Sequence, residues 1–192
     1  EHSLSGLEFA YGIPGTVGGA VFMNAGAYGG EIKDVIISAQ AVDTNGSISE
    51  YPIDKMELGY RTSIFQQSGS VITKAVFRLH KAEKSAIEAR MNELMSRRRE
   101  KQPLEYPNAG STFKRPEGQF AGKLIQDCGL KGLRIGGAEV SEKHSGFVIN
   151  TGCATSEDIK QLIEKVQKTV LEKTGYFLEC EVRIIPYSED DK

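Results

Sequence analysis

Tyr11-Gly12-Ile13-Pro14-Gly15-Thr16-Val17-Gly18-Gly19-Ala20-Val21-Phe22-Met23-Asn24-Ala25-Gly26-Ala27-Tyr28-Gly29-Gly30 is the stretch on which the reading of this 192-residue chain turns. It holds seven glycines in twenty positions. Each glycine gives up more backbone entropy on folding than any other residue, so such a cluster needs a structural return. Tight turning is one return. Close approach of bare backbone N–H groups to a phosphate is another. Pro14 fixes φ at the entry, and the apolar run from Val17 to Met23 is suited to anchor the loop in a core. The spacing fits neither the dinucleotide-binding fingerprint nor the phosphate-binding P-loop.

Bulk properties narrow the field. The length suits one large domain or two small ones, able to bury roughly 70% of the unfolded surface. A formal charge of −2 with acids and bases interspersed gives no argument for nucleic acid as a partner. No run reaches the length and apolarity of a membrane span, and no obligatory protein partner is evident. Cys128, Cys153 and Cys180 form neither a CxxC pair nor a metal-ligand spacing, which predicts reduced cytosolic thiols and no metal site.

Outward from the glycine stretch, Val35–Val42 and Ile48–Ile53 read as strands around an Asp43–Ser47 turn whose Asn45-Gly46 is a strong hairpin signal. Val71–Leu79 reads as a third strand. Residues 82–100 carry an apolar stripe of Ile87, Met91, Leu94 and Met95 and read as a helix. Its last turn, Arg97-Arg98-Arg99-Glu100-Lys101, reads as a solvated end whose cations suit the helix dipole. Gln102–Pro107 holds two prolines and reads as a domain boundary.

Beyond it, Gly118–Gly132 predicts a short helix with Phe120, Leu124, Ile125 and Cys128 on one face. Cys128 is therefore core rather than nucleophile. Leu133–Gly137 and Ser145–Asn150 predict strands around a polar turn containing His144. Thr155 or Ser156 caps the clearest helix, which Gly175 ends. Tyr176–Ile185 alternates as a last strand, with Tyr176, Leu178, Cys180, Val182 and Ile184 on one side. From pattern alone its other face, with Glu179, Glu181 and Arg183, is a salt-bridged surface. On the same terms Arg61 is an exposed loop arginine, and Ser111, with no histidine near it in sequence, is no hydrolase nucleophile. The tail after Pro186 is acidic and expected to be loose.

Four separated motifs go further. Gly12-Ile13-Pro14-Gly15-Thr16-Val17-Gly18-Gly19-Ala20 with Met23–Gly29, Tyr60-Arg61-Thr62-Ser63-Ile64-Phe65, Asn108-Ala109-Gly110-Ser111-Thr112-Phe113-Lys114, and Leu178-Glu179-Cys180-Glu181-Val182-Arg183 resemble, in order, the signatures of the UDP-N-acetylenolpyruvoylglucosamine reductase family. The resemblance implies an α+β protein. It combines the remainder of a PCMH-type FAD-binding domain (1–101, completed by 176–192) with a smaller α+β substrate-binding domain (102–175). It implies FAD held by Ile13, Pro14, Gly15, Thr16, Val17, Gly18, Asn24, Ala25, Gly26 and Ala27, with Arg183 near the flavin.

Arg61, Ser111 and Glu181 take the catalytic roles, and Tyr60, Lys101, Arg115 and His144 the substrate contacts. The implied reaction, in the bacterial cytoplasm, uses NADPH to reduce FAD, which then reduces UDP-N-acetylglucosamine enolpyruvate to UDP-N-acetylmuramate for peptidoglycan synthesis. The chain resembles the shorter, type II subclass without its N-terminal FAD subdomain, so FAD is expected to bind weakly or not at all. The alternatives are a folded, non-catalytic fragment of such an enzyme and another flavin oxidoreductase of the same superfamily.

Overall fold

The structure is a computed structural model and describes residues 2–185. The chain divides into two compact units, one up to Arg98 and one from Arg99 onward. The acidic tail after Pro186 lies outside the described residues.

The first unit opens with β1 (Leu4–Ser5), followed by α1 (Val17–Phe22) and the hairpin of β2 (Gly26–Ala27) and β3 (Gly30–Glu31). Its main sheet is β4 (Ile36–Val42), β5 (Ile48–Pro52) and β6 (Val71–Phe77), antiparallel, with β4 in the middle. The predicted turn between β4 and β5 closes as expected. The Asp43 carboxylate accepts from the amides of Asn45 and Ser47, both at 2.8 Å, and Gly46 sits at φ +83°. That left-handed value is where glycine pays no steric cost. Short α2 (Phe65–Ser68) lies between β5 and β6 in the chain, and β7 (His80–Lys81) returns to pair with β1. α3 (Lys84–Lys101) closes the unit.

This unit's core comprises Phe9, Val21, Ile32, Ile36, Ala39, Ala41, Met56 and Phe65. α1 packs against β6, the strand beside β4. Gly18 is where it touches: a Cβ there would stand 3.3 Å from the Ile72 carbonyl of β6. The apolar run anchors through Val21, which is fully buried, whereas Val17 remains 59% exposed.

The second unit holds α4 (Ala121–Asp127), the sheet β8 (Arg134–Ile135), β9 (Ala138–Val140) and β10 (Val148–Asn150), and α5 (Ser156–Thr174). β9 is the middle strand, antiparallel to both neighbours. Sequence pattern misses β9, because three residues are too few to show a period. α5 carries a full capping box: Thr155 Oγ1 accepts from the Asp158 amide at 3.1 Å and Asp158 accepts from the Thr155 amide at 2.8 Å. Gly175 ends it at φ +76°. Leu162, Ile163, Val166 and Val170 are the buried stripe of α5 and meet Leu124, Ile125 and Cys128 of the α4 region. Phe120 departs from expectation. It precedes the helix rather than lying on its inner face and is 59% exposed.

The last stretch also departs from expectation, in two ways. First, 176–185 is not a strand but an extended segment with one antiparallel bridge, Cys180 to Phe113. Its alternation survives in the middle: Leu178 is fully buried and Cys180 and Val182 pack on the core. Tyr176 and Ile184 stay exposed. Second, that core is the second unit's own. The described part of 176–192 packs with 102–175 rather than completing the first unit, because Leu178 supplies apolar volume between α5 and the Phe113 segment.

Candidate functional site

The predicted site residues fall into two groups, one in each unit. In the first, the glycine segment presents its backbone outward: Gly12, Pro14, Gly15, Thr16 and Val17 are exposed, and Ile13 is partly so. Gly15 takes φ +139°, and nothing lies within 4 Å of where a Cβ would stand, so its glycine is required by backbone conformation and leaves open space beside it. Thr16 caps α1 by accepting from the Gly19 amide at 3.0 Å. Gly26 is fixed by close packing, since a Cβ would meet Glu31 Cγ at 2.7 Å. Ala27 pairs with Gly30 across a two-residue turn, Tyr28-Gly29, at φ +53° and +87°. A tyrosine in that left-handed turn costs conformational energy that the surroundings must offset.

Asn24 is the hub of this group. It is fully buried at φ +40°. Its Nδ2 donates to Glu31 Oε2 and to the Gly59 carbonyl, both at 2.8 Å, and its Oδ1 accepts from the Lys33 amide at 2.9 Å. Both amide protons are used, so the side chain holds the scaffold and has no donor left for a cofactor.

The same contacts fasten the arginine loop. Gly59 and Thr62 bridge each other, leaving Tyr60-Arg61 as a tight turn with Arg61 at φ +54°. Arg61 Nη2 donates to the Gly26 carbonyl at 3.0 Å, and its guanidinium lies 5.1 Å from the centre of the Tyr60 ring. Ser63 Oγ and Gln66 Nε2 both donate to the Phe22 carbonyl, at 2.7 and 3.1 Å. Gln66 Nε2 also donates to the Arg61 carbonyl at 2.9 Å. Thus a non-glycine residue in an unfavourable conformation is held by its own side chain and those of Ser63 and Gln66, which reach to the glycine segment, and by Asn24 of that segment, which reaches back to Gly59. The Glu31 carboxyl is held below the usual carboxylate range by the Lys33 ammonium first, then by the Asn24 amide and the Arg61 charge. Ser63, Gln66 and Tyr28 escaped the sequence reading of the site, although Ser63 and Tyr28 lie inside quoted motifs.

In the second unit, an Asx turn shapes the serine loop: Asn108 Oδ1 accepts from the Gly110 amide at 2.9 Å, with Gly110 at φ +81°. Ser111 follows, exposed. Thr112 is buried and ties the loop down on three sides. Its amide donates to the Gly146 carbonyl at 2.8 Å, its Oγ1 accepts from the Val148 amide at 3.0 Å, and its carbonyl accepts from the Glu181 amide at 2.9 Å. The Lys114 amide donates to the Glu179 carbonyl at 2.8 Å, and the two side chains form an ion pair. Ser111 and Glu181, far apart in sequence, therefore sit on adjacent paired segments, with Glu181 half-buried.

Arg115 stacks on Phe120, its guanidinium 4.3 Å from the ring centre. His144 lies in the turn that supplies Gly146 to Thr112. Its Nδ1 accepts from the Gly146 amide at 3.1 Å and its ring packs edge-on against Phe147 at 4.8 Å. Burial pushes its pKa down, so it is a neutral member of that turn. Arg183 and Lys101 are exposed. Among the described residues no cluster of histidine, cysteine and carboxylates could hold a metal ion. Among the described residues no helix is long and apolar enough to cross a membrane.

Two family models match the chain. Residues 1–51 match the FAD binding domain family. Residues 102–185 match the family described as UDP-N-acetylenolpyruvoylglucosamine reductase, C-terminal domain. The chain is similar to the UDP-N-acetylenolpyruvoylglucosamine reductases over nearly its whole length. It is 60% identical over 185 residues to the UDP-N-acetylenolpyruvoylglucosamine reductase of Clostridium novyi, covering 96% of this chain and 60% of that protein. To the one from Lachnoclostridium phytofermentans it is 58% identical, with the same coverage. The crystal structure of UDP-N-acetylenolpyruvylglucosamine reductase (MurB) from Thermus caldophilus superimposes with a TM-score of 0.84 at 37% identity, covering 96% of this chain and 65% of that one. The chain thus spans about three fifths of the length of the curated relatives it matches.

Proposed function

We propose that the chain serves the flavin-dependent reduction of UDP-N-acetylglucosamine enolpyruvate to UDP-N-acetylmuramate, with NADPH as reductant, in the bacterial cytoplasm. The observation that carries this reading is the hydrogen bond from the Glu181 amide to the Thr112 carbonyl. It sets the Ser111 and Glu181 motifs side by side, as a joint catalytic task requires and an unrelated flavin oxidase would not. The exposed backbone from Gly12 to Val17, with open space beside Gly15, fits an FAD lying along it. Ile13 to Gly15, Thr16, Ala25 and the strand Gly26–Ala27 would hold it through main-chain groups. When bound, the flavin supplies the hydride chemistry, which no side chain can perform.

The protein's part is electrostatic and protonic. Reduction of an enolpyruvyl group passes through a species with enolate character, whose charge must be stabilised where it develops. Arg61 is suited to hold the carboxylate and enol oxygen, because a guanidinium stays charged and offers a planar fork of donors. Glu181 is suited to stabilise developing negative charge, and Ser111 to deliver a proton to carbon. Tyr60, Lys101 and Arg115 contact the UDP-sugar. His144 shapes the serine loop through Gly146.

The test uses the full-length protein in stopped flow. Ser111→Ala should leave NADPH-driven flavin reduction within about twofold, while reoxidation of the reduced flavin by the enolpyruvyl substrate slows by about 10²-fold or more, the scale of a lost proton donor. Equal slowing of both half-reactions would remove Ser111 from the proton-donor role.

A further inference from the structure

α3 ends on four basic residues, and one of them is not at the surface. Arg98 is 7% exposed. Its Nε and Nη2 are fully buried and donate to no described residue. Those two N–H groups form the side-on edge of the guanidinium, the edge that meets two oxygens of one oxyanion at once. No carboxylate of a described residue pairs with Arg98, whereas its neighbour Arg97 pairs with Glu93 and stays half-exposed. Burying a guanidinium without a counter-charge is costly, so the cost needs a compensating partner.

The position of that edge points to the partner. The guanidinium lies 5.3 Å from the centre of the Tyr28 ring, and Tyr28 is held in the left-handed turn that follows the glycine segment. Gly12 also lies near it, at φ +82°, where a Cβ would stand 3.4 Å from Arg98 Nε and 2.4 Å from Met95 Cε. A Cβ at Gly12 would touch this edge at ordinary contact distance and would clash with Met95. Glycine at 12, tyrosine at 28 and arginine at 98 come from three remote parts of the chain and meet at the start of the segment read above as the cofactor cradle.

We propose that Arg98 is an anion receptor, taking a phosphate oxyanion of a nucleotide ligand on its Nε–Nη2 edge, with Tyr28 as its backing and Gly12 keeping the approach open. The assignment rests on the proposed flavin site for the identity of the nucleotide, but not for the receptor itself. A guanidinium kept ready in this way trades stability of the unliganded protein for binding.

The experiment measures four things on the 192-residue chain and its variants Arg98→Gln, Arg98→Lys and Arg97→Gln: binding of inorganic pyrophosphate by calorimetry, of FAD and of riboflavin by fluorescence, and the unliganded Tm. Wild type should bind pyrophosphate saturably. Arg98→Gln should weaken pyrophosphate and FAD by tenfold or more, leave riboflavin within twofold, and leave Tm unchanged or higher. Arg98→Lys should recover part of the loss, and Arg97→Gln should match wild type. Absence of saturable pyrophosphate binding to wild type, or an unchanged affinity in Arg98→Gln, overturns the receptor. So does a large fall in unliganded Tm, which would mean a structural partner. Equal loss of riboflavin and FAD overturns the phosphate assignment. Pyrophosphate binding through Arg98 without FAD binding keeps the receptor and overturns FAD as its ligand in the 192-residue chain, while the flavin reading stands or falls on the stopped-flow test of the full-length protein.

Discussion

Removing the Asn24 side chain would leave the Gly59 carbonyl and the Lys33 amide, both part-buried, without the partners they have now. Unsatisfied groups of this kind cost about 1–3 kcal/mol each, and alanine also tolerates φ +40° less well than asparagine. Asn24→Ala should therefore lose about 2–3 kcal/mol in urea denaturation, and a loss under about 0.5 kcal/mol would sink the hub assignment. His144 makes a statement about pH. Burial holds its folded pKa below 6.5. Above that value neither folded nor unfolded chain carries the proton. As pH falls below it, the unfolded chain takes up a proton that the folded one refuses, and stability declines until the folded pKa is reached. His144→Asn, whose Oδ1 stands near where Nδ1 accepts, should show a shallower stability loss between about pH 6.5 and 5 than wild type. Parallel curves would show that His144 does not titrate on unfolding.

At the scale of elements, local chemistry explains what sequence reading recovered. The β4–β5 hairpin and α5 carry their own turn and cap residues, so their limits follow from short-range bonds such as those of Asp43 and Thr155. The segment 176–185 shows the opposite case. Its alternation marks which side chains turn inward, but a strand exists only where a partner runs beside it, and Phe113 supplies one bridge. Leu178 is nonetheless fully buried among Val166, Val170 and Phe113 in one cluster. Leu178→Ala should cost about 2–5 kcal/mol, the range for a cavity in a packed core.

For the molecule as a whole, two separate cores set where that loss is felt. Leu178→Ala should accelerate amide exchange in β9 and α5 while exchange in β4 stays as in wild type, because Ala39 and Ala41 belong to the other core. Faster exchange in β4 would mean the units unfold together. Four motifs in order, read from sequence, sufficed to find the family, the α+β class and Arg61, Ser111 and Glu181 as candidates. Their legibility has a local cause: each motif carries the residues that shape its own turn, such as Gly59 before Arg61 and Gly110 before Ser111. What sequence could not settle was which unit claims 176–185, that Asn24 spends both its amide protons on the scaffold, and that one arginine in a run of three is buried. Each depends on partners distant along the chain, and a linear pattern does not contain those distances. Packing decided them, because burial is a property of neighbours and not of the residue that is buried.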